Sequence, residues 1–405
     1  MMKMIPNLFK EAAPVIERIE NAGFEAYFVG GSVRDHLLGR SIADVDIATS
    51  ALPEELKRIF SKTVDVGIEH GTILVHHGQS HYEVTTFRSE AGYTDFRRPD
   101  SVSFIRSLKE DLQRRDFTMN AIAMDKDGHI IDPFAGRDAI DRKIIVTVGN
   151  PDERFGEDAL RMLRAVRFQS QLSFSIEKET FESLASHCHL LQNIAVERKL
   201  VEFEKLLLGP GRQEAIMLLA KSGISQYLPG MKGKNGQLMN FSSHLTSDLE
   251  LEELWVLLLF ELELSEQEVD GFLREWKLPV QKIKKYKKIH SLLLYRLENQ
   301  WSLESVYKAG QADAISAEKV FGTLREYGSN PEGVTQLYDM LPIQNREQLA
   351  VSGNDVMTWM EKQPGPWLRQ ALDEIERSVI YGKVPNEKEK IKQWLNAPNQ
   401  KSGKN

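Results

Sequence analysis

The pattern of apolar residues changes character once along the chain, near residue 150, and that change limits the fold more than any single motif. Before it, short runs rich in Val, Ile, Thr and aromatics read as strands: "AYFVGG" (26–31), "VDIATS" (45–50), "GTILVHH" (71–77), "YEVTTF" (82–87) and "AIAMD" (121–125). Between them "SVRDHLLG", "PEELKRIF" and "SLKEDLQRRDF" have helical spacing, with Pro53 in the first-turn position that proline tolerates. From about Asp152 onward the strand signal disappears. Segments such as "EDALRMLRAVRFQSQL" and "VERKLVEFEKLLLG" then carry the apolar repeat of an amphipathic helix. The expectation is an α+β protein, with a head built on a small mixed β-sheet and flanking helices, followed by an all-α remainder. A chain of 405 residues exceeds one ordinary core. The turns "LGPGR" (208–212), "PGMKGKNGQ" (229–237) and "EYGSNPEG" (326–333) break the helical part.

Composition excludes several classes of function. The chain is 41% hydrophobic, enough to bury its cores. Its start has no apolar run of signal-peptide type, and "LEELWVLLLFELEL" (251–264) is broken by glutamates at intervals that suit a half-buried helix, so neither secretion nor a membrane span is expected. Cys188, the single cysteine, excludes an internal disulfide and a multi-cysteine zinc site and fits a cytoplasmic location. "HCH" (187–189) is not read as a metal site, because adjacent helical side chains diverge. A formal net charge of -7 rules out bulk attraction to nucleic acid. Such a partner must be held by local patches, and "KLPVQKIKKYKKIH" (277–290), with lysines crowded around Tyr286, is a candidate. Trp255, Trp276, Trp301, Trp359, Trp367 and Trp394 are read as helix-packing residues.

Chemistry concentrates in "GGSVRDHLLGRSIADVDIATS" (30–50). Gly30 and Gly31 sit where a strand turns into a helix; there the backbone can approach a ligand closely and the free N–H groups of the first turn point at an anion such as a triphosphate. Asp44 and Asp46 alternate within a predicted strand, which puts both carboxylates on one face with Cα atoms roughly 7 Å apart. Two such acids call for a cation, and Mg²⁺ is the natural choice beside phosphates. Glu83, on a neighbouring predicted strand, is either a third carboxylate of the kind that completes a metal shell in nucleotidyl transfer or an ordinary exposed strand residue.

These motifs, followed by "RRDFTMNAIA" (114–123), "DPFAGRDAI" (132–140) and "GEDALRMLRAVRF" (156–168), resemble the class II branch of the nucleotidyltransferase superfamily. That branch holds the bacterial and eukaryotic tRNA nucleotidyltransferases, or CCA-adding enzymes, and the bacterial poly(A) polymerases. The resemblance covers about the first 170 residues in matching order. It implies a catalytic head (1–150), a helical neck that recognises the base (151–210), a body (211–300) and a tRNA-binding tail (301–405). It implies catalytic roles for Asp44, Asp46 and Glu83, with Asp44 and Asp46 holding Mg²⁺. Gly31, Arg34, Arg115, Asp158, Arg161, Arg164 and Arg167 match its nucleotide-binding positions. In the family the residues matching Asp158 and Arg161 select the base, and Glu157 resembles the acid that orients the arginine. The chemistry agrees: a carboxylate accepts and a guanidinium donates, which suits the amine and ring nitrogen of C and A and mismatches U and G. Helical spacing would put Asp158 and Arg161 on one face. It would also put Asp116 and Asn120, near the nucleotide sugar in the family, one turn apart.

The implied activity is addition of C, C and A to the 3′ end of tRNA from CTP and ATP. The long polar stretch "RSEAGYTDFRRPDS" (88–101) is similar to the flexible loop needed for the final A. Poly(A) polymerase, a partial CC- or A-adding enzyme and a non-catalytic tRNA-binding protein are the alternatives. The short C-terminal end of mixed charge disfavours the first. The expected partners are tRNA and the two nucleotides, with no membrane and with room for a homodimer.

Overall fold

The computed structural model describes residues 5–67, 71–92, 101–245, 248–325 and 328–397. The chain divides into two compact units, Met1–Ser242 with Glu275–Lys277, and Ser243–Arg274 with Leu278–Asn405.

The first unit opens with helix α1 (Asn7–Asn21), whose Phe9, Ala12, Val15, Ile16 and Ile19 are buried at helical spacing and lean on the sheet through Phe9 and Phe28. Strand β1 (Ala26–Val29), helix α2 (Gly31–Leu38), strand β2 (Asp46–Thr49), helix α3 (Pro53–Ile59) and strands β3 (Thr63–Gly67), β4 (Thr72–His77) and β5 (Ser80–Thr86) follow. A hairpin of β6 (Arg88–Ala91) and β7 (Ser101–Phe104) precedes helix α4 (Leu108–Gln113), strands β8 (Ala123–Met124) and β9 (Ile130–Ile131), helix α5 (Gly136–Asp141) and strand β10 (Ile144–Ile145). Seven strands form one mixed sheet in the order β3-β4-β5-β2-β1-β8-β9, in which β2 and β5 run parallel and the other neighbours antiparallel. Val29, Ala48, Phe87, Leu112 and Ala123 make a core beneath it.

Helices α6 (Pro151–Glu157), α7 (Leu160–Leu172), α8 (Lys178–His187), α9 (Val196–Leu207), α10 (Arg212–Lys221) and α11 (Asn235–Ser243) complete this part of the chain. Asn150 caps α6 by accepting from Asp152 N, and Pro151 fills the first position, where its missing N–H costs nothing. The all-helical expectation after 150 has an exception, since Ser175–Ile176 forms a two-residue strand, β11, parallel to β10. The second unit is helical among its described residues, from Leu251–Glu261 to Lys388–Leu395. Val356, Ile375, Val379 and Ile391 centre its last core, against which Trp359, Trp367 and Trp394 pack. Among the described residues no helix is long and apolar enough to cross a membrane.

Candidate active site

Strand register, more than sequence distance, assembles the site. In β1 and β2 Val29 lies opposite Asp46, so the glycine turn that follows Val29 emerges beside that aspartate. In the parallel pair β2 and β5 Asp46 lies opposite Glu83. Gly30 adopts φ 74°, a left-handed conformation that disfavours any side chain, and a Cβ there would stand 3.3 Å from Arg115 Nη1 and 3.8 Å from Asp46 Oδ2. The backbone conformation of the turn is what favours glycine, and the tip of Arg115 lies close over it. From it α2 starts at Gly31, one residue before the helical spacing of "SVRDHLLG" begins.

The strand expectation for Asp44 is corrected. β2 begins at Asp46, and Asp44 is an exposed residue just before it. A chain leaving a sheet needs no alternation, so the pleat does not set its direction. The two aspartates and Glu83 still feel one another. Packing around Asp46, then Asp44 and Glu83, push its carboxyl above the usual aspartate range, against the pull of Arg115, although its surface remains open to solvent. Carboxylates gathered at one strand edge, with oxygen donors only, fit a hard divalent cation. Among the described residues the one group of three whose ligand atoms lie within 4.8 Å of one another is elsewhere, at Asp125, Asp127 and His129. It is explained without a metal: Asp125 Oδ1 accepts from the N–H groups of Asp127 and His129 and closes the turn between β8 and β9.

Next to this edge opens a cavity of about 490 Å³. Gly30, Gly31, Arg34, Asp46, Arg115, Asp158, Arg161, Arg164 and Arg167 all line it, with Arg114, Asp116, Asn120, Phe168 and Arg198; Asp44 and Glu83 do not. Seven arginines against three aspartates make it positive within an acidic chain, which suits a polyphosphate. The guanidinium groups are held apart by a chain of acceptors. Arg34 donates to Asn120 Oδ1 at 2.8 Å and to Asp35 at 3.0 Å. Asn120 donates to Asp116 at 3.0 Å, and Arg164 Nε donates to the same carboxylate at 2.8 Å. Burial works against the charge of Asp116, but Arg164, Asn120 and the Phe117 N–H outweigh it and hold the carboxyl far below the usual range. Arg167 Nε lies 2.8 Å from Glu202, and burial, despite that partner, pulls its guanidinium down to about 10, still charged at neutral pH. Three guanidinium groups meet over the ring of Phe168, with their central carbons 5.1, 5.5 and 4.0 Å from its centroid for Arg34, Arg164 and Arg167.

Asp158 and Arg161 do not share a helix. Asp158 ends α6 in extended backbone, φ −131° and ψ 102°, and its Oδ1 accepts from Leu160 N at 3.0 Å to start α7, which carries Arg161. Arg161 is bonded to Glu157 and to the carbonyls of Arg154 and Arg114, at 3.0 and 2.9 Å for the carbonyls. Asp158 pairs with Arg198 of α9 at 2.9 Å. The break lets acceptor and donor face the cavity from different elements. Asp116 and Asn120 likewise straddle the start of a 3₁₀ turn, Thr118–Asn120, rather than lying on one α-helix. Sequence reasoning misses Arg198 and Glu202 as members of the site, since in "VERKLVEFEK" they look like ordinary charges of an amphipathic helix.

The other candidates are quieter. Cys188 is half-buried, and burial pushes its thiol up. In the lysine-rich segment Tyr286 is buried against Trp255, and Lys285, Lys287 and Lys288 pair with Glu252, Asp270 and Asp313, so the lysines do not form an array around an exposed tyrosine. The ends of the 88–101 stretch pair as β6 and β7, and its middle, 93–100, lies outside the described residues.

Comparison with known proteins covers nearly the whole chain. Residues 26–146 match the poly A polymerase head domain, 173–234 the probable RNA and SrmB-binding site of polymerase A, and 249–395 the putative tRNA nucleotidyltransferase domain 2. The chain is 48% identical to the CCA-adding enzyme of Geobacillus stearothermophilus, over 98% of this chain and 99% of that one. It is 48% identical to the CCA-adding enzyme of Enterococcus faecalis, over 95% of each. The crystal structure of Bacillus stearothermophilus CCA-adding enzyme in complex with CTP superposes with a TM-score of 0.90 at 46% identity, covering 98% of this chain and 99% of that one.

Proposed function

This chain belongs to the class II tRNA nucleotidyltransferases, the family of the bacterial CCA-adding enzymes, and from that premise we propose how its cavity does the work. The protein adds C, C and A to the 3′ end of tRNA, using CTP and ATP and no nucleic acid template. The observation that carries the assignment within the site is the cavity itself, where a phosphate-binding turn, an acidic strand edge and the Asp158 and Arg161 pair face one space.

Gly31 and the first turn of α2, with Arg34, Arg115, Arg164 and Arg167, bind the triphosphate and set its orientation. Asp44 and Asp46 are the residues that would hold Mg²⁺, with Glu83 opposite Asp46 in the sheet as the third carboxylate. When bound, the ion supplies charge neutralisation at the α-phosphate and a lower pKa for the attacking hydroxyl. The tRNA 3′ hydroxyl loses its proton to a neighbouring carboxylate as its oxygen forms a bond to the α-phosphorus in line, the bond to the β-phosphate oxygen breaks, and pyrophosphate leaves. Asp158 accepts from the exocyclic amine of C or A, and Arg161 donates to the adjacent ring nitrogen. With U or G, acceptor meets acceptor and donor meets donor, and a buried mismatch of that kind is strongly rejected. Residues 1–150 act as the catalytic head and 151–210 as the base-reading neck. The body, 211–300, and the tail, 301–405, hold tRNA in the cytoplasm.

The test is purified protein, tRNA lacking its 3′ end, Mg²⁺ and each labelled nucleoside triphosphate. Three additions ending in A are expected, and none from Asp44→Ala protein that keeps its circular dichroism spectrum. Long A tails would mean a poly(A) polymerase, and addition of A or of CC alone a partial enzyme.

A further inference from the structure

Helix α9 packs along α7 and sends two charged side chains, one helical turn apart, toward residues that line the cavity. Glu202 faces Arg164 and Arg167. Arg198 faces Asp158, with Nη2 donating to Oδ2 at 2.9 Å and Nη1 reaching Oδ1 at 3.5 Å. The other bond to Asp158 is the Leu160 N–H on Oδ1. That backbone donor fixes one oxygen and leaves the carboxylate free to turn about it. A planar guanidinium that spans both oxygens fixes the plane as well. Each carboxylate oxygen has two acceptor sites, so the clamp leaves Asp158 able to accept from a base.

We propose that Arg198 is a positioning residue for base selection, holding the Asp158 carboxylate in the plane from which it accepts the amine of C or A. The inference rests on the reading of Asp158 and Arg161 as the base-selecting pair. A purely structural role accounts poorly for the contact. The two side chains keep 27% and 18% exposure, so water screens the pair in part and only a fraction of its attraction reaches the fold. The packing of α9 is carried elsewhere, by Phe203, Leu206 and Leu207. Arg198 also lines the cavity, where its absence would be felt by a bound base and little by the core.

The experiment compares kcat/KM for CTP and ATP with that for UTP and GTP, on tRNA lacking its 3′ end, for the wild type, Arg198→Ala, Arg198→Lys, Asp158→Ala and the Asp158→Ala/Arg198→Ala double variant. Arg198→Ala is expected to cut discrimination on the order of 100-fold, the loss that a catalytic group displaced by about 1 Å brings. Arg198→Lys, a point charge without the fork, should restore part of it. The double variant should be no less selective than Asp158→Ala alone, because Arg198 acts only through that carboxylate. If Arg198→Ala lowers all four values in proportion while Asp158→Ala relaxes selection, Arg198 serves phosphate or RNA binding and the inference is overturned. If Asp158→Ala itself leaves selection intact, the base-reading assignment falls and this inference with it. Should the alanine variant fail to fold, Arg198→Gln, which keeps most of the side-chain stem, carries the same comparison.

Discussion

Asp116 illustrates how single residues couple the site to the stability of the molecule. It is buried, takes two donors from Arg164 and one from Asn120, and titrates far below the usual aspartate range. Its folded pKa is depressed, so the stability it contributes is fully present above the unfolded value of about 3.9 and is lost as pH falls below that value. Asp116→Asn should unfold about 3 kcal/mol more easily at pH 7, since it leaves Arg164 without its closest counter-charge. Urea titrations of both proteins should show that gap shrinking by about 1 kcal/mol between pH 5 and pH 3, the linkage expected of one aspartate that stays ionised only when folded. A gap that does not change with pH would remove Asp116 from this role. At this scale the cavity residues legible in the sequence are those carried by a contiguous motif of recognisable chemistry: the glycine turn, Asp46 and the arginines of α7. Arg198 and Glu202 were not legible, because their meaning depends on which side of α7 the next helix packs, and local spacing carries no such information.

Elements were legible where apolar side chains are buried and illegible where they are not. β1, β2, β4 and β5 bury apolar residues and are readable from their Val, Ile and aromatic content. β3 is an edge strand with Val64 and Val66 exposed at 48% and 52%, so its pattern does not separate two faces. β6 and β7 pair only with each other, and their Ser, Arg and Glu residues read as loop. The break at Asp158 had a readable signal, an aspartate able to cap the next helix, hidden by the unbroken apolar repeat around it. The turn after α9 shows what such joints require. A Cβ at Gly209 would fall 2.2 Å from Ser170 Oγ and 2.6 Å from the Ser170 carbonyl carbon, while Gly211 N–H donates to Ser170 O at 2.8 Å. Because backbone is among the atoms struck, no rotamer relieves it. Gly209→Ala should cost about 2 kcal/mol and, by shifting α9 and with it Arg198 and Glu202, should also weaken CTP binding. Gly156, in α6 with nothing within 4 Å of a built Cβ, is the control, and its alanine variant should be as stable as the wild type or more so. Equal thermal unfolding of the two variants would show that the contact with Ser170 yields freely.

Over the whole molecule, charge and cohesion are distributed unevenly. A chain of formal charge -7 nevertheless gathers seven arginines around one cavity, so attraction for a polyphosphate is local while the surface as a whole repels it. Cohesion crosses the sequence order too. The first unit ends near residue 242 but also includes Glu275–Lys277, and the reason is Trp276, fully buried and stacked on Phe203 of α9 with centroids 4.8 Å apart. A residue that follows more than thirty positions of the second unit thus completes the core behind the helix that carries Arg198 and Glu202. Two units imply two calorimetric transitions, and only the one whose unit holds the cavity should respond to CTP, rising by about 2.7 kcal/mol at a hundred times the dissociation constant. Trp276→Ala, by emptying a large buried volume, should lower that same CTP-responsive transition by about 3–5 kcal/mol and leave the other in place. Scanning calorimetry of wild type and variant, each with and without CTP, checks this. A variant that loses stability only in the transition that CTP does not move would assign Trp276 to the second unit and detach it from the support of α9.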